Sequence, residues 1–260
     1  MNHENLTAGN IERSWTNLID YQSRMSGSNV SRETPVLDID TAGLPREFGS
    51  ELWTKLEAYA GEVLLANERI NLVSRRAPAK QILDNVLDGI LLGVLIHNVS
   101  RETGDGILLV DGGTGSGVPG IPAQMTMSQL RQGPSLVLVD SQLKKQDFLD
   151  ALIRKLDLED TLVFRGRLEN PRLRKVCESE WPSHSWLLCT KAFAGLEQTI
   201  RWARSFKGGL SGAFLIKGPL SIDEVEGFPF ERRAWALEAI HRCYFPLRES
   251  HILELTPVEQ

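Results

Sequence analysis

The sequence predicts an α/β protein with a doubly wound, mostly parallel sheet. An apolar run at 107–110 leads into Asp111 and a glycine-rich turn, a pattern typical of a strand that is buried on both faces and followed by a helix. A second apolar run ends at Asp140, 29 residues after Asp111, which leaves room for one helix between two parallel strands. Strand and helix patterns then alternate to the end of the chain, as a doubly wound sheet requires.

The segment before the first strand has helical periodicity. Apolar residues recur at steps of three and four from Phe48 to Ala66, and a second pattern of this kind covers 79–98. We expect these helices to form an N-terminal helical cap over residues 44–100. Residues 1–43 are polar and poor in apolar periodicity, so we expect a mobile extension there.

The chain beyond Asp140 predicts the rest of one domain over residues 101–260. The predicted elements are a helix over 142–156, strands at 161–164 and 186–189, a helix reaching about 206, a strand within 212–218, and candidate strands within 234–244 and at 252–255. The last two form a terminal hairpin, so one of the final strands must be antiparallel.

The turn after the first strand contains the pattern D-x-G-x-G-x-G, formed by Asp111, Gly113, Gly115 and Gly117. Glycine permits positive φ and a close approach of the backbone to a ligand, and the next helix begins with unpaired N–H groups. Part of the turn also matches the dinucleotide fingerprint G-x-G-x-x-G. Because a pyrophosphate is repelled by a carboxylate such as that of Asp111, the pattern favours the amino acid end of S-adenosylmethionine. We expect Asp111 to accept a hydrogen bond from that ligand.

Asp140 ends the second strand, where a carboxylate can hold both hydroxyls of a ribose. A methyl donor and a dinucleotide both contain this group, so Asp140 supports the fold more than it selects the cofactor. The alternative is that Asp140 only caps the helix that begins near Gln142.

Composition restricts the class of protein. No apolar run reaches the roughly 20 residues of a membrane span, and the N-terminus lacks the regions of a signal peptide. The three cysteines and five histidines suggest neither a disulfide framework nor a metal site, so we expect a cytoplasmic protein. The net charge of −5 argues against a nucleic-acid partner, but basic clusters at 75–80, 165–175 and 201–207 permit RNA binding.

Several motifs between about Leu44 and Leu255 are similar to those of one known family. They are N-E-R-I-N-L at 67–72, L-D at 87–88, the segment 111–122, D-S at 140–141, K-K at 144–145, F-L at 148–149, G-R-L-E at 166–169, Ala192, and L-I-K-G at 215–218. The sequence P-G-I-P at 119–122 is the most specific of them. On these residues the chain resembles the RsmG or GidB family, the bacterial 16S ribosomal RNA guanine-N7 methyltransferases.

The resemblance implies a class I S-adenosylmethionine-dependent methyltransferase fold and S-adenosyl-L-methionine as cofactor. It implies that Gly113 and Val118 contact the methionine and sulfonium part and that Asp140 holds the ribose. Further implied cofactor contacts are the adenine-flanking pair Leu168 and Glu169, and Lys191, which stands at a family arginine. The implied reaction is direct in-line methyl transfer to a guanine N7 of ribosomal RNA in the small subunit. Since N7 carries no proton, no general base is needed; Lys191 is the candidate catalytic residue.

The chain departs from the family pattern at a few positions. Val118 replaces a phenylalanine, Lys191 replaces an arginine, and the pair Asp84 and Asn85 replaces Arg-His. Lysine lacks the planar fork of arginine, and Asp84 reverses a charge, which we expect to oppose phosphate binding. Two alternatives therefore stay open: a methyltransferase of the same fold with a changed substrate, and a catalytically idle paralogue that binds RNA or a protein. A dehydrogenase is the least favoured interpretation.

Overall fold

A computed structural model describes residues 6–25, 36–39, 43–100, 106–130, 133–206, 209–218, 224–225, 227–246 and 248–258. The α-helices are α1 (Ala8–Met25), α2 (Ser50–Ala66), α3 (Pro78–Val99), α4 (Gly120–Leu130), α5 (Leu143–Leu156), α6 (Pro171–Glu180) and α7 (Leu196–Ala203). The strands are β1 (Val36–Asp38), β2 (Ile107–Gly112), β3 (Ser135–Asp140), β4 (Thr161–Arg165), β5 (Ser185–Lys191), β6 (Leu210–Lys217), β7 (Trp235–Phe245) and β8 (Arg248–Pro257).

The eight strands form one sheet in the order β1-β7-β8-β6-β5-β2-β3-β4. Neighbours from β6 through β4 pair in parallel, as do β1 and β7, whereas β8 is antiparallel to both β6 and β7. The predicted doubly wound sheet with an antiparallel terminal hairpin is thus confirmed. Chain order reverses between β2 and β5, so the crevice at their carboxyl ends is where a doubly wound sheet binds its ligand.

Side chains of β2 alternate between the two faces of the sheet, each covered by helices. Leu109 belongs to a core shared with α1 to α5, whereas Leu108 and Val110 belong to a second core shared with α6 and α7. All six residues of β2 are buried. Its first four residues, 107–110, therefore form the continuous apolar run of a parallel strand with both faces covered.

Helix α3 passes through the middle of the first core. It is long and apolar enough to span a membrane by composition, but 72% of its most apolar window is buried inside the protein. Gly93 lets α3 approach α4, because a Cβ there would lie 2.8 Å from the carbonyl oxygen of Ala123. The apolar character of α3 is thus that of a core helix.

The expected mobile extension is wrong for residues 8–25. These residues form α1, whose Ile11, Trp15 and Ile19 are fully buried in the first core. The indole of Trp15 donates a hydrogen bond to the carbonyl oxygen of Pro45 over 2.9 Å. The apolar residues of α1 are too few to stand out in a polar segment. They are enough to hold the helix in place because α2 and β7 pack against them. Residues 26–35 and 40–42 lie outside the described residues.

The helices of the predicted cap share their core with the sheet. Leu56 and Ile90 belong to the same cluster of buried residues as Leu109 and Leu138 of the sheet. The structure also contains two elements that the sequence pattern did not predict, the edge strand β1 and the helix α6. Helix α6 begins with Asn170, whose side-chain oxygen accepts a hydrogen bond from the amide of Arg172.

Candidate active site

A cavity of about 360 Å³, here called the first cavity, opens at the carboxyl ends of β2, β3, β4 and β5. Its position is the crevice where the chain order of the sheet reverses. It is lined by Gly113, Val139, Asp140, Ser141, Gln142, Lys145, Gly166, Arg167, Leu168, Glu169, Lys191, Ala192, Phe193 and Trp202. Five of the predicted site residues therefore meet in one cavity: Gly113, Asp140, Leu168, Glu169 and Lys191.

The glycine turn forms one wall of the first cavity. Gly113, Gly115 and Gly117 all have positive φ, at 69°, 60° and 96°, a region that residues with a Cβ rarely adopt. The Phe193 ring lies directly on Gly113, since a Cβ on that glycine would come within 2.0 Å of the ring. The turn is therefore glycine-dependent for two separate reasons, its backbone conformation and the aromatic ring packed against it.

Asp111 lies beneath this turn, not in the cavity. Its carboxylate is 0% exposed, and Oδ2 accepts hydrogen bonds from the Thr114 hydroxyl at 2.6 Å and the Gly120 amide at 2.9 Å. Burial raises the pKa of Asp111 to about 7, against the lowering effect of these two hydrogen bonds. Through Oδ2 the carboxylate ties the turn to the start of α4, whereas Oδ1 has no hydrogen-bond partner among the described residues. A hydrogen bond from a ligand to Asp111 stays a prediction.

Asp140 connects the turn to the cavity. Its Oδ2 accepts a hydrogen bond from the amide of Gly115 at 3.1 Å, and its Oδ1 accepts one from the amide of Gln142 at 2.8 Å. The second of these bonds goes to the N-cap residue of α5 and not to an amide of the helix itself, which has no side-chain capping bond. A carboxylate offers about four lone-pair positions, so two remain for hydroxyl groups in the cavity. Both bonds are therefore compatible with ligand binding at Asp140.

Besides Asp111, three predicted site residues do not line the first cavity. Gly115 faces Asp140 through its amide, and Gly117 packs against Ile121, whose side chain a Cβ would meet at 2.4 Å. Val118 is 7% exposed and belongs to the first core. These residues support the wall of the first cavity without lining it, and Val118 has no exposed surface in the cavity.

Two aromatic residues in the first cavity were not predicted from the sequence. Phe193 and Trp202 line it together, and their ring centroids lie 5.0 Å apart. Phe193 follows β5 and Trp202 lies on α7, and both pack against the buried cluster that contains Leu168. The one sequence feature that could have indicated Phe193 as a site residue is its position two residues after Lys191, at the end of a buried strand.

The Lys217 side chain holds the loop that carries Phe193. The Lys217 ammonium donates a hydrogen bond to the Ala194 carbonyl over 2.6 Å and lies 3.9 Å from Glu224. Burial lowers the pKa of Lys217, an effect that Glu224 opposes. Ala192, in the same loop, has a positive φ of 48°. Lys217 thus positions the loop that forms one side of the cavity.

Lys191 lies between the first cavity and a second one. Its ammonium donates a hydrogen bond to Asn85 Oδ1 over 2.7 Å and lies 3.4 Å from Asp88 Oδ2. The Asp88 side chain is 2% exposed and also pairs with Arg248 over 3.0 Å. Asn85 and Lys191, which both depart from the family pattern, therefore contact each other. Asp88 of the L-D motif is the counter-ion of both Lys191 and Arg248.

The second cavity, of about 440 Å³, lies between α3 and β8 and shares Lys191 with the first. Its lining residues are Ser74, Arg76, Ala77, Lys80, Gln81, Asp84, Asn85, Lys191 and Arg248. Asp84 is paired there with Lys80 at 2.7 Å and with Arg248 at 3.6 Å. The charge that Asp84 introduces is thus balanced by neighbouring cations.

The first cavity has the groups that S-adenosylmethionine needs. Asp140 can accept hydrogen bonds from ribose hydroxyls, and Leu168 and the Phe193 ring provide apolar surface for the adenine and methionine parts. Gly113 lines the same cavity with the Phe193 ring packed against it. The residues present therefore fit a methyl donor.

Two solved structures show the same fold. Magnesium protoporphyrin IX methyltransferase (ChlM) from Synechocystis PCC 6803, with bound SAM, aligns with a TM-score of 0.52 and 10% identity over 76% of this chain and 97% of that chain. The METTL16 MTase domain aligns with a TM-score of 0.54 and 12% identity over 79% of this chain and 81% of that chain. The fold is therefore that of the class I S-adenosylmethionine-dependent methyltransferases.

Sequence comparison identifies the family. Ribosomal RNA small subunit methyltransferase G from Salmonella arizonae is 28% identical over 194 residues, which cover 75% of this chain and 83% of the relative. The protein of the same name from Escherichia fergusonii is 27% identical over 205 residues, or 78% and 88% of the two chains. The profile of the GidB family, described as rRNA small subunit methyltransferase G, matches residues 53–247. This chain is accordingly a member of the GidB family of S-adenosylmethionine-dependent rRNA methyltransferases.

Proposed function

We propose that this chain transfers the methyl group of S-adenosylmethionine to N7 of a guanine in 16S ribosomal RNA, in the bacterial cytoplasm. The observation that carries the proposal is the contact between two cavities at Lys191. The first cavity fits the methyl donor, and the second, lined by cations, fits a nucleotide of the RNA. Family membership supports this substrate, because the relatives are named as small-subunit rRNA methyltransferases.

The donor supplies an electrophilic methyl group on a positively charged sulfur. Asp140 is proposed to hold the ribose, while Leu168 and Glu169 flank the adenine. The glycine turn is preformed, because Asp111 and Asp140 fix its amides and hydroxyl by hydrogen bonds. A preformed wall lowers the entropy that binding would otherwise cost.

The acceptor nitrogen has a free lone pair and no proton to lose. The chain therefore has to orient the guanine and tolerate positive charge as it moves from sulfur to base. Lys191 can donate a hydrogen bond to the O6 atom beside N7, a contact that guanine accepts and adenine does not. Asp88, at 3.4 Å from the Lys191 ammonium, offsets the cost of a cation near the methylated base.

The decisive experiment measures methyl incorporation from labelled S-adenosylmethionine into 30S subunits that lack the modification, followed by mapping of the modified nucleotide. We expect one guanine N7 to be labelled, with binding of S-adenosylmethionine but not NAD in calorimetric titration. Labelling of another atom or another RNA would instead support a changed substrate. Donor binding with no methylation of any RNA would support the idle paralogue.

A further inference from the structure

We propose that the second cavity is a phosphate-binding site, in which Arg76, Lys80 and Arg248 hold a backbone phosphate of the substrate RNA beside the nucleotide to be methylated. This inference rests on the proposed function. Four cationic side chains line the cavity, Arg76, Lys80, Lys191 and Arg248. Only Asp84 in the lining and the buried Asp88 behind it oppose them among the described residues, which leaves a local excess of two positive charges.

This excess contrasts with the chain as a whole, whose net charge is −5. Cations that are gathered in a concave site of an acidic protein concentrate the field at one place. The backbone adds to it, because the cavity lies at the N-terminus of the 22-residue helix α3. The first residue of α3, Pro78, has no N–H, and the N-cap Ala77 has no side chain that could cap the amides that follow it. A helix N-terminus with free amides favours an anion.

The cations are held in place by the surrounding side chains. Arg248 donates to the Asp84 carbonyl and to Asp88 Oδ1, both over 3.0 Å, and its guanidinium lies 3.5 Å from the centre of the Phe245 ring. Because Nη2 makes both bonds and Nε is buried, Nη1 is the part of this fixed guanidinium that is left to donate to a phosphate.

The loop that carries Arg76 is also fixed. Asn67 Oδ1 accepts hydrogen bonds from the amides of Leu72 and Val73, both over 2.9 Å, and Gln81 Oε1 accepts one from the amide of Ser74. Within the part of the chain that the structure describes, Arg76 has no carboxylate partner at ion-pair distance, so its charge is available to a ligand.

The location also fits the reaction. Lys191 is the boundary between the two cavities, so a phosphate in the second cavity lies beside the guanine that Lys191 is proposed to orient toward the donor in the first. The charge reversal at Asp84 does not abolish this role, because Lys80 and Arg248 pair with that carboxylate and still outnumber it.

The test compares the double variant Arg76→Gln/Lys80→Gln with wild type, measuring methylation kinetics on unmodified 30S subunits and RNA binding without donor at several salt concentrations. We expect KM for the subunit to rise about tenfold or more while kcat and the Kd for S-adenosylmethionine change less than twofold. The slope of log affinity against log salt should fall by about one for each phosphate that the variant no longer neutralises. Arg154→Gln, an exposed cation of α5 outside both cavities, is the matched control and should leave all these values unchanged.

A second variant should change KM and RNA affinity in the opposite direction. Asp84→Asn removes the one carboxylate that lines the cavity among the described residues, so KM for the subunit should fall severalfold and RNA affinity should increase. Unchanged KM and salt slope in the double variant, or weaker RNA binding by Asp84→Asn in a protein of unchanged melting temperature, would overturn the proposal. The binding measurement decides this even if wild type fails to methylate the subunit, in which case only the proposed function is lost.

Discussion

The amide of Gly115 donates a hydrogen bond to Asp140 Oδ2 over 3.1 Å, so the carboxylate that faces the first cavity also fixes the glycine turn. One residue thereby couples the shape of the cavity wall to a polar group inside it. A second carboxylate, Asp111, fixes the same turn from below through Thr114 and Gly120. The two acids have different tasks, and substitutions at each should separate them.

Removal of the Asp140 carboxylate should weaken donor binding strongly. Asp140→Ala loses both the hydrogen bonds proposed for the ribose and the bond to Gly115, and we expect the Kd for S-adenosylmethionine to rise at least 100-fold, about 3 kcal/mol. Asp140→Asn keeps an acceptor oxygen and should lose less. Calorimetric titration measures both. Asp147→Asn, an exposed carboxylate of α5, is the control, and an equal loss in that variant would contradict the assignment.

Asp111 should make stability depend on pH. Its folded-state pKa of about 7 lies above the ordinary value of 3.8, so the folded protein keeps a proton that the unfolded chain releases. The stabilisation is complete below about pH 4 and is lost as pH rises toward 7, by an amount on the order of 4 kcal/mol. Urea unfolding of wild type and Asp111→Asn across this range checks it. The variant should lack this loss, and parallel curves for the two proteins would contradict the raised pKa.

A methyl group on Gly113 should disrupt the first cavity. Gly113→Ala forces alanine into a φ of 69°, which costs about 1–2 kcal/mol, and places its Cβ within 2.0 Å of the Phe193 ring. We expect a lower melting temperature and a loss of donor binding. The control, Gly61→Ala on α2, has open space around the new Cβ and should raise stability by about 0.5–1 kcal/mol. Similar behaviour of the two variants would show that Gly113 has no special geometry.

Lys217 should affect donor binding through the loop it supports. Lys217→Met removes the hydrogen bond to the Ala194 carbonyl and leaves that oxygen without its donor, so we expect the Kd for S-adenosylmethionine to rise about five- to tenfold. Lys217→Arg should recover part of the affinity, because it can still donate to that carbonyl. Fluorescence of Trp202, which contacts Phe193 in the same cavity, reports on the loop directly. Lys175→Met, an exposed residue of α6, should change neither the affinity nor the fluorescence.

Short-range patterns in the sequence determined most of the sheet and part of the site. Strands β2 and β3 each contain a run of four apolar residues because both faces of the sheet are covered, and their carboxyl ends are marked by Asp111 and Asp140. The glycine turn is readable because positive φ demands glycine at three positions. These features depend on local chemistry, so fold class, cofactor and the residues Gly113 and Asp140 followed from the sequence.

Only the tertiary structure decided which of these residues face the cavity. Asp111 is buried under the turn because β2 and α4 meet there, a geometry that spacing does not reveal. Helix α1 is ordered because α2 and β7 cover its narrow apolar face, although its composition is polar. Arg248 reaches Asp84 and Asp88 across about 160 residues of sequence, and such long-range charge pairing leaves no periodic signal in the chain. That pairing brings Arg248 into the lining of the second cavity.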